Sequence, residues 1–148
     1  MRIITFGTFD LFHIGHLNIL KNCKKFLNQD NQDNQDNQDN QDNQDNYVIV
    51  GISSDELNLK KKSKTPIINI NDRVEIIKSI KYVDEVFIEE SLEKKLEYCL
   101  KYNADILIMG NDHIGTFNYL ENNNIKVIYL DRTNNISSTL IEKNIKNK

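Results

Sequence analysis

Of the three histidines in this 148-residue chain, His13 and His16 stand three apart with Gly15 between them. They close the run Gly7-Thr8-Phe9-Asp10-Leu11-Phe12-His13-Ile14-Gly15-His16, which follows a short apolar stretch and precedes a stretch with helical spacing. At a helix start this spacing lets both imidazoles face one anion. Free backbone N–H groups and the positive end of the helix dipole would lie beside them. The rings can then donate hydrogen bonds to phosphate oxygens and stabilise charge that moves toward a leaving pyrophosphate. Gly7 would let a ligand approach the backbone closely. Zinc competes for the same pair, but no cysteine or third histidine has ligand spacing, and His113 is distant in sequence. Asp10 and Asp112 could add carboxylates, and an oxygen-rich site favours Mg²⁺ over zinc.

Three more stretches carry groups suited to phosphate. Ser53-Ser54-Asp55-Glu56 is followed by Lys60, Lys61, Lys62 and Lys64, a lysine cluster that is either a solvated patch or a neutraliser for a triphosphate. Met109-Gly110-Asn111-Asp112 suits a plain turn, although Asp112 could equally face a substrate or help hold a metal. Arg132-Thr133-Asn134-Asn135-Ile136-Ser137-Ser138-Thr139 ends at a helix start, where hydroxyls and free N–H groups can converge on phosphate. Simple capping by Ser137 is the competing explanation, but capping does not require the upstream Arg-Thr pair.

The elements that must position these residues alternate. Apolar, β-branched runs predict strands at residues 2–6, 47–52, 83–88, 106–109 and 125–130. Helical spacing predicts helices at 14–27, from an Asn71 cap with Val74, Ile77 and Ile80 on one face, and from a Ser91 cap with Leu92, Leu96, Cys99 and Leu100. A short helix at 116–121 and a last one from Ser137 to about residue 145 complete the set. Strands that are apolar throughout imply a parallel sheet covered by helices on both faces. In such a sheet ligands bind beyond the carboxyl ends of the strands, near the topological switch point. The expected site therefore comprises the connections at 7–16, 53–64, 110–116 and 131–138.

The length suits one domain spanning residues 1–148. Residues 28–46 repeat Asn-Gln-Asp six times and add one Asn. They offer nothing apolar to bury, so they predict a disordered insertion between helix 1 and strand 2. The net charge of −3 excludes a global basic field for nucleic acid. Two cysteines, Cys23 and Cys99, are too few for a disulfide framework. With no signal-like or membrane-length apolar run, a cytoplasmic protein that does not insert in a membrane is expected.

Taken in order, these motifs resemble those of one family. The His13-Ile14-Gly15-His16 segment after Gly7-Thr8-Phe9-Asp10 resembles the HxGH signature of the cytidylyltransferase branch of the nucleotidyltransferase superfamily. Met109 to Asp112 is similar to its MGDD loop, with Asn111 for the first Asp. Tyr82 to Val86 is similar to its RYVDEV segment, with Lys81 for the Arg. Arg132 to Thr139 is similar to RTxGISTT, with Asn135 for the glycine. The resemblance implies a Rossmann-like domain with a five-stranded parallel sheet. It also implies transfer of a cytidylyl group from CTP to a small phosphomonoester, with Mg²⁺ and a homodimer. Glycerol 3-phosphate is the favoured acceptor on chain length, with phosphoethanolamine or phosphocholine next. An adenylyltransferase and an inactive nucleotide-binding module are the other readings. Implied catalytic residues are His13, His16, Lys61, Lys64 and Arg132. Alignment from Asp55 favours Lys61, and alignment back from Arg73 favours Lys62 and Lys64. Implied nucleotide contacts are Thr8, Phe9, His13, His16, Lys61, Arg132, Thr133, Ile136, Ser137 and Ser138. Asp112 and Lys81 are assigned to the acceptor and Asp10 to the metal.

Overall fold

The computed structural model describes residues 1–27, 45–134 and 136–147. Strands β1 (Arg2–Gly7), β2 (Tyr47–Ser53), β3 (Glu85–Glu89), β4 (Ile106–Gly110) and β5 (Lys126–Leu130) form one parallel sheet in the order β3-β2-β1-β4-β5. Helices α1 (Ile14–Lys25), α2 (Asp55–Lys62), α3 (Ile70–Lys78), α4 (Lys95–Lys101) and α5 (Ser138–Lys146) fill the connections and the C-terminal stretch. The chain winds outward from β1 through β2 to β3, then returns to the other side of β1 with β4. The switch point therefore lies between β1 and β4, and their carboxyl ends are Gly7 and Gly110.

Consecutive strand residues point to opposite faces, which sorts the apolar runs into two cores. Ile3, Val48, Val50, Ile106 and Ile108 join Leu20 and Cys23 of α1 and Ile77 of α3. Ile4, Ile49, Leu107 and Met109 join Cys99 of α4 and Leu120 on the other face. Each cysteine is thus buried in a separate core, and both are free. Burial pushes the Cys23 thiol up to about 12 and the Cys99 thiol up to about 11. No helix among the described residues is long and apolar enough to cross a membrane.

Four local expectations are corrected. Residues 53–64, expected as a loop, contain α2. Ser54 caps it by accepting from the Leu57 N–H at 3.0 Å; Asp55 and Glu56 occupy its first turn and Lys60, Lys61 and Lys62 its last. That charge order suits the helix dipole, while the helix buries only Leu57 and Asn58, leaving no apolar stripe to read. Helix α3 is capped by Asn69, whose Oδ1 accepts from the Asp72 N–H at 2.9 Å, and Asn71 lies inside it. Ser91 makes no side-chain cap bond; a 3₁₀ turn, Leu92–Lys94, precedes α4, and Leu92 and Leu100 are exposed. The helix expected at 116–121 is a 3₁₀ segment, Asn118–Asn123.

Most of the Asn-Gln-Asp tract, 28–44, lies outside the described residues. Its end is tied down: buried Asn46 donates through Nδ2 to the carbonyls of Cys23 at 3.0 Å and Phe26 at 2.7 Å. Asn46 thereby closes the C-terminal end of α1 and delivers the chain into β2.

Candidate active site

Helix α1 begins on the two histidines, which form a reciprocal capping box. The His13 Nδ1 accepts from the Gly15 N–H at 3.0 Å, and the His16 Nδ1 accepts from the His13 N–H at 3.3 Å. Their rings stack with centroids 3.8 Å apart. A nitrogen that accepts carries no proton, so each neutral ring holds its hydrogen on Nε2. Nε2–H is then the one donor each imidazole keeps for a ligand. Burial, then the neighbouring His13, lowers His16 to about 3. Burial, then Arg132, lowers His13. Both rings are therefore neutral donors at physiological pH. The motif glycine has a local cause: a Cβ on Gly15 would stand 2.8 Å from the His13 Cε1. A side chain there would push out the capping imidazole.

His16 lies in the wall between two clefts. The larger, about 930 Å³, is lined by Thr8, Asp10, Lys61, Lys62, Lys64, Lys95 and others. The smaller, about 200 Å³, is lined by His13, Gly15, Thr133, Ile136 and Ser137 with neighbouring backbone. Phe6, His16, Met109, Asp112, His113 and Arg132 line both. The sheet thus brings the N-terminal motif beside the Arg132–Thr139 segment, as the switch point requires. Asn135, the departure from the family glycine, lies outside the described residues.

The charged and hydroxyl side chains around the clefts have definite positions. On α2, Asn58, Lys61 and Lys62 face the large cleft at i, i+3 and i+4, whereas Lys60 does not line it. Burial, then Lys62, lowers Lys61. Lys64 reaches the same cleft and pairs with Glu142 of α5 at 3.4 Å. Arg132 and Asp112 form an exposed pair at 3.4 Å, which an entering phosphate can break at little cost. Ser137 caps α5 by accepting from the Leu140 N–H at 3.0 Å. Ser138 donates to the Asp10 carbonyl, tying α5 to the first loop. The Thr133 hydroxyl accepts from Asn18 Nδ2 of α1 at 3.0 Å.

Four other side chains named above, Thr8, Phe9, Asp10 and Lys81, have definite contacts in the fold. The Thr8 hydroxyl is engaged with Asn58 Oδ1 at 3.0 Å and Ser53 Oγ at 3.1 Å, so it shapes the loop. Phe9 is buried, with its ring over Gly7 and edge-on to His16 at 5.3 Å. It braces the histidine and fills the space over Gly7 that a ligand was expected to use. Asp10 accepts three backbone N–H groups, from Leu11 at 3.1 Å, Ile67 at 2.8 Å and Ile68 at 2.9 Å. Its carboxylate pins the 67–68 stretch. No group of three or more metal-capable side chains occurs among the described residues, and a Mg²⁺ ion that keeps its waters and binds substrate phosphates needs no such cluster. Lys81 is exposed in the connection that enters the amino end of β3, the opposite end of the sheet from the clefts, with its ammonium 5.2 Å from the Tyr82 ring.

Three site residues escaped the sequence reading. Arg73 of α3 is fully buried behind the first loop. Glu89, at the end of β3, and Lys95, at the start of α4, form a buried ion pair of 2.5 Å on the floor of the large cleft. The Lys95 ammonium also sits 4.0 Å from the Phe6 ring centroid. Burial, opposed by Glu89, lowers Lys95. A lysine inside the string Leu92-Glu93-Lys94-Lys95 reads as a solvated face. Only the 3₁₀ turn before α4 aims it inward.

The family model described as "Cytidylyltransferase-like" matches residues 4–144. The glycerol-3-phosphate cytidylyltransferase of Bacillus subtilis is 39% identical over 99 residues, covering 67% of this chain and 75% of that protein. The Staphylococcus aureus enzyme of the same name is 36% identical over 102 residues, 69% of this chain and 76% of that one. An FAD synthase from Pyrococcus abyssi is 38% identical over 65 residues, 44% of each chain. A lipopolysaccharide core biosynthesis protein from Thermoplasma volcanium superposes with a TM-score of 0.65 at 20% identity, over 90% of this chain and 96% of that one, and so shares the fold. The chain belongs to the cytidylyltransferase-like family of nucleotidyltransferases.

Proposed function

We propose that this protein transfers the cytidylyl group of CTP to glycerol 3-phosphate, giving CDP-glycerol and pyrophosphate. The observation that carries the reading is the wall shared by the two clefts. It sets His16 and Arg132 between a small cleft built on the Arg132–Thr139 segment and a large one lined with lysines. Cytidine suits the former, where backbone near Thr133 and Ile136 can meet the base edge. The acceptor phosphate suits the Lys61 and Lys95 end of the latter. The likeness to glycerol-3-phosphate cytidylyltransferases over two thirds of the chain supports this acceptor.

In the reaction an acceptor phosphate oxygen, already anionic, bonds to the α-phosphorus of CTP. The bond from that phosphorus to the bridging oxygen breaks, and its electron pair leaves with pyrophosphate. No general base is required, so catalysis consists of alignment and charge stabilisation. The Nε2–H groups of His13 and His16 donate to phosphate oxygens. Arg132, Lys62 and Lys64 neutralise the departing charge. Mg²⁺ is assigned to the nucleotide as its phosphate-bound counterion, and no protein ligand for it is invoked.

The test is a panel of glycerol 3-phosphate, phosphoethanolamine and phosphocholine, each with CTP or ATP, read by mass spectrometry. CDP-glycerol as the dominant product is expected. An aminoalcohol product in its place would refute the acceptor. Turnover with ATP and not CTP would refute the nucleotide.

A further inference from the structure

His113 stands in the wall common to both clefts, and nothing in the reaction scheme above uses it. It ends the 3₁₀ turn Asn111–His113 that follows β4, at the switch point. The backbone there is set: the His113 carbonyl accepts from the Thr116 N–H at 2.9 Å, and the Asn111 carbonyl from the Ile114 N–H at 3.1 Å. The ring lies 5.8 Å from the Phe117 ring, and the Lys95 ammonium lies 5.3 Å from that same ring. Phe117 thus neighbours both His113 and Lys95. The imidazole has no hydrogen-bond partner among the described residues, although it is exposed to the cleft.

Three side chains in that shared wall carry N–H donors: His16, Arg132 and His113. The first two serve the triphosphate. We propose that His113 is an acceptor-binding residue, whose imidazole N–H donates to the phosphate of the incoming phosphomonoester where the two clefts meet. This inference rests on the cytidylyltransferase reading and adds a residue to it.

The chemistry favours an imidazole there. A phosphomonoester held by ammonium groups alone is bound tightly, but its oxygens lose electron density to the cations. Ground-state binding of that kind does not accelerate attack. A neutral donor orients one oxygen toward the α-phosphorus while withdrawing less charge. Burial, then Lys95, Lys61 and Lys62, lowers His113, with Asp112 opposing, so the ring is neutral at physiological pH.

The experiment compares wild type, His113→Ala and His113→Gln, using glycerol 3-phosphate as acceptor. CTP affinity is measured separately without acceptor. Loss of one hydrogen bond to a charged group predicts that Ala raises the acceptor KM roughly tenfold or more. CTP affinity should stay within about twofold, and Gln, a neutral donor, should recover much of the loss. An unchanged acceptor KM in the Ala variant overturns the inference and leaves the cytidylyltransferase reading intact. So does an equal loss of CTP affinity, or a drop in thermal midpoint shared by both variants in place of a KM effect. Absence of any CDP-linked product from wild type overturns both.

Discussion

Replacing Arg73 tests whether the first loop is held from behind. Its guanidinium is fully buried and spends its donors on four acceptors from four places in the chain. Nε donates to the Ile68 carbonyl at 2.8 Å. Nη1 donates to the Thr8 carbonyl at 2.9 Å and the Ser53 carbonyl at 2.8 Å. Nη2 meets the Asp55 carboxylate at 2.5 Å. The ends of β1 and β2, the start of α2 and the strap before α3 therefore converge on one side chain. Arg73→Met removes the partner of a part-buried carboxylate and leaves buried carbonyls unsatisfied. Breaking a fully buried pair costs about 3–5 kcal/mol, and with Asp55 partly exposed the loss should fall toward the lower end, about 3 kcal/mol. That is a large fraction of a typical domain stability of about 5–15 kcal/mol.

Arg73→Lys is the sharper variant. It keeps the charge, but an ammonium has three donors and no planar fork, so it cannot span four acceptors. Its loss should be about 2 kcal/mol or more, at the upper end for hydrogen bonds to a charged group. Urea unfolding followed by circular dichroism measures both variants, and CTP titration reports whether the surviving fold still binds. Wild-type stability and CTP affinity in Arg73→Lys would refute the idea that the fork, rather than the charge, organises the loop.

Two further outcomes follow from the site. Because His16 is lowered to about 3 in the fold, the unfolded chain binds more protons than the fold between there and about 6.5. Its contribution to stability is complete above about 6.5 and declines as pH falls, by up to about 2 kcal/mol between pH 6.5 and 5. Urea midpoints of wild type and His16→Gln should therefore converge on acidification, and parallel pH slopes would count against a buried neutral ring. Asp10→Asn keeps one side-chain oxygen for the N–H groups at 67 and 68 and should cost about 1–3 kcal/mol. It should leave the Mg²⁺ concentration for half-maximal turnover within about twofold, whereas a tenfold rise would restore Asp10 as a metal ligand.

The strands were legible because a parallel sheet buried on both faces demands continuous apolar runs, and Val48–Ile52 and Ile106–Met109 supply them. The two histidines were legible because Gly15 and the preceding apolar stretch mark a strand-to-helix turn. Helix α2 was not legible, since charge at its two ends rather than an apolar stripe holds it. The Lys95–Glu89 pair and the Arg73 hub were hidden for a related reason. A charged residue in a charged string reads as surface, and burial arises only from how separate elements meet. The structural contacts of Asp10 were not legible, because a carboxylate beside a phosphate site suggests a cation, while in the fold it accepts backbone N–H groups from a segment 57 residues away.

The arrangement of charge in the cleft suits the proposed reaction. A triphosphate and a phosphomonoester repel each other, so cations are needed to bring them together. Cations at the reacting oxygens would also hold the nucleophile back. Here the positive charge stands on Lys61, Lys62, Lys64 and Lys95, lining the large cleft, and on Arg132 in the shared wall. The imidazole of His16 in that wall, and that of His13 in the small cleft beside it, are neutral. Burial keeps them so, and the capping box works in the same direction. Nδ1 of each ring accepts a backbone N–H, so protonating either ring at Nδ1 would forfeit a cap at a helix end that already disfavours a cation. A Ser or Thr cap could terminate the helix equally well. It would not leave an Nε2–H to donate to phosphate, and that is a physical reason for this helix to start on histidines.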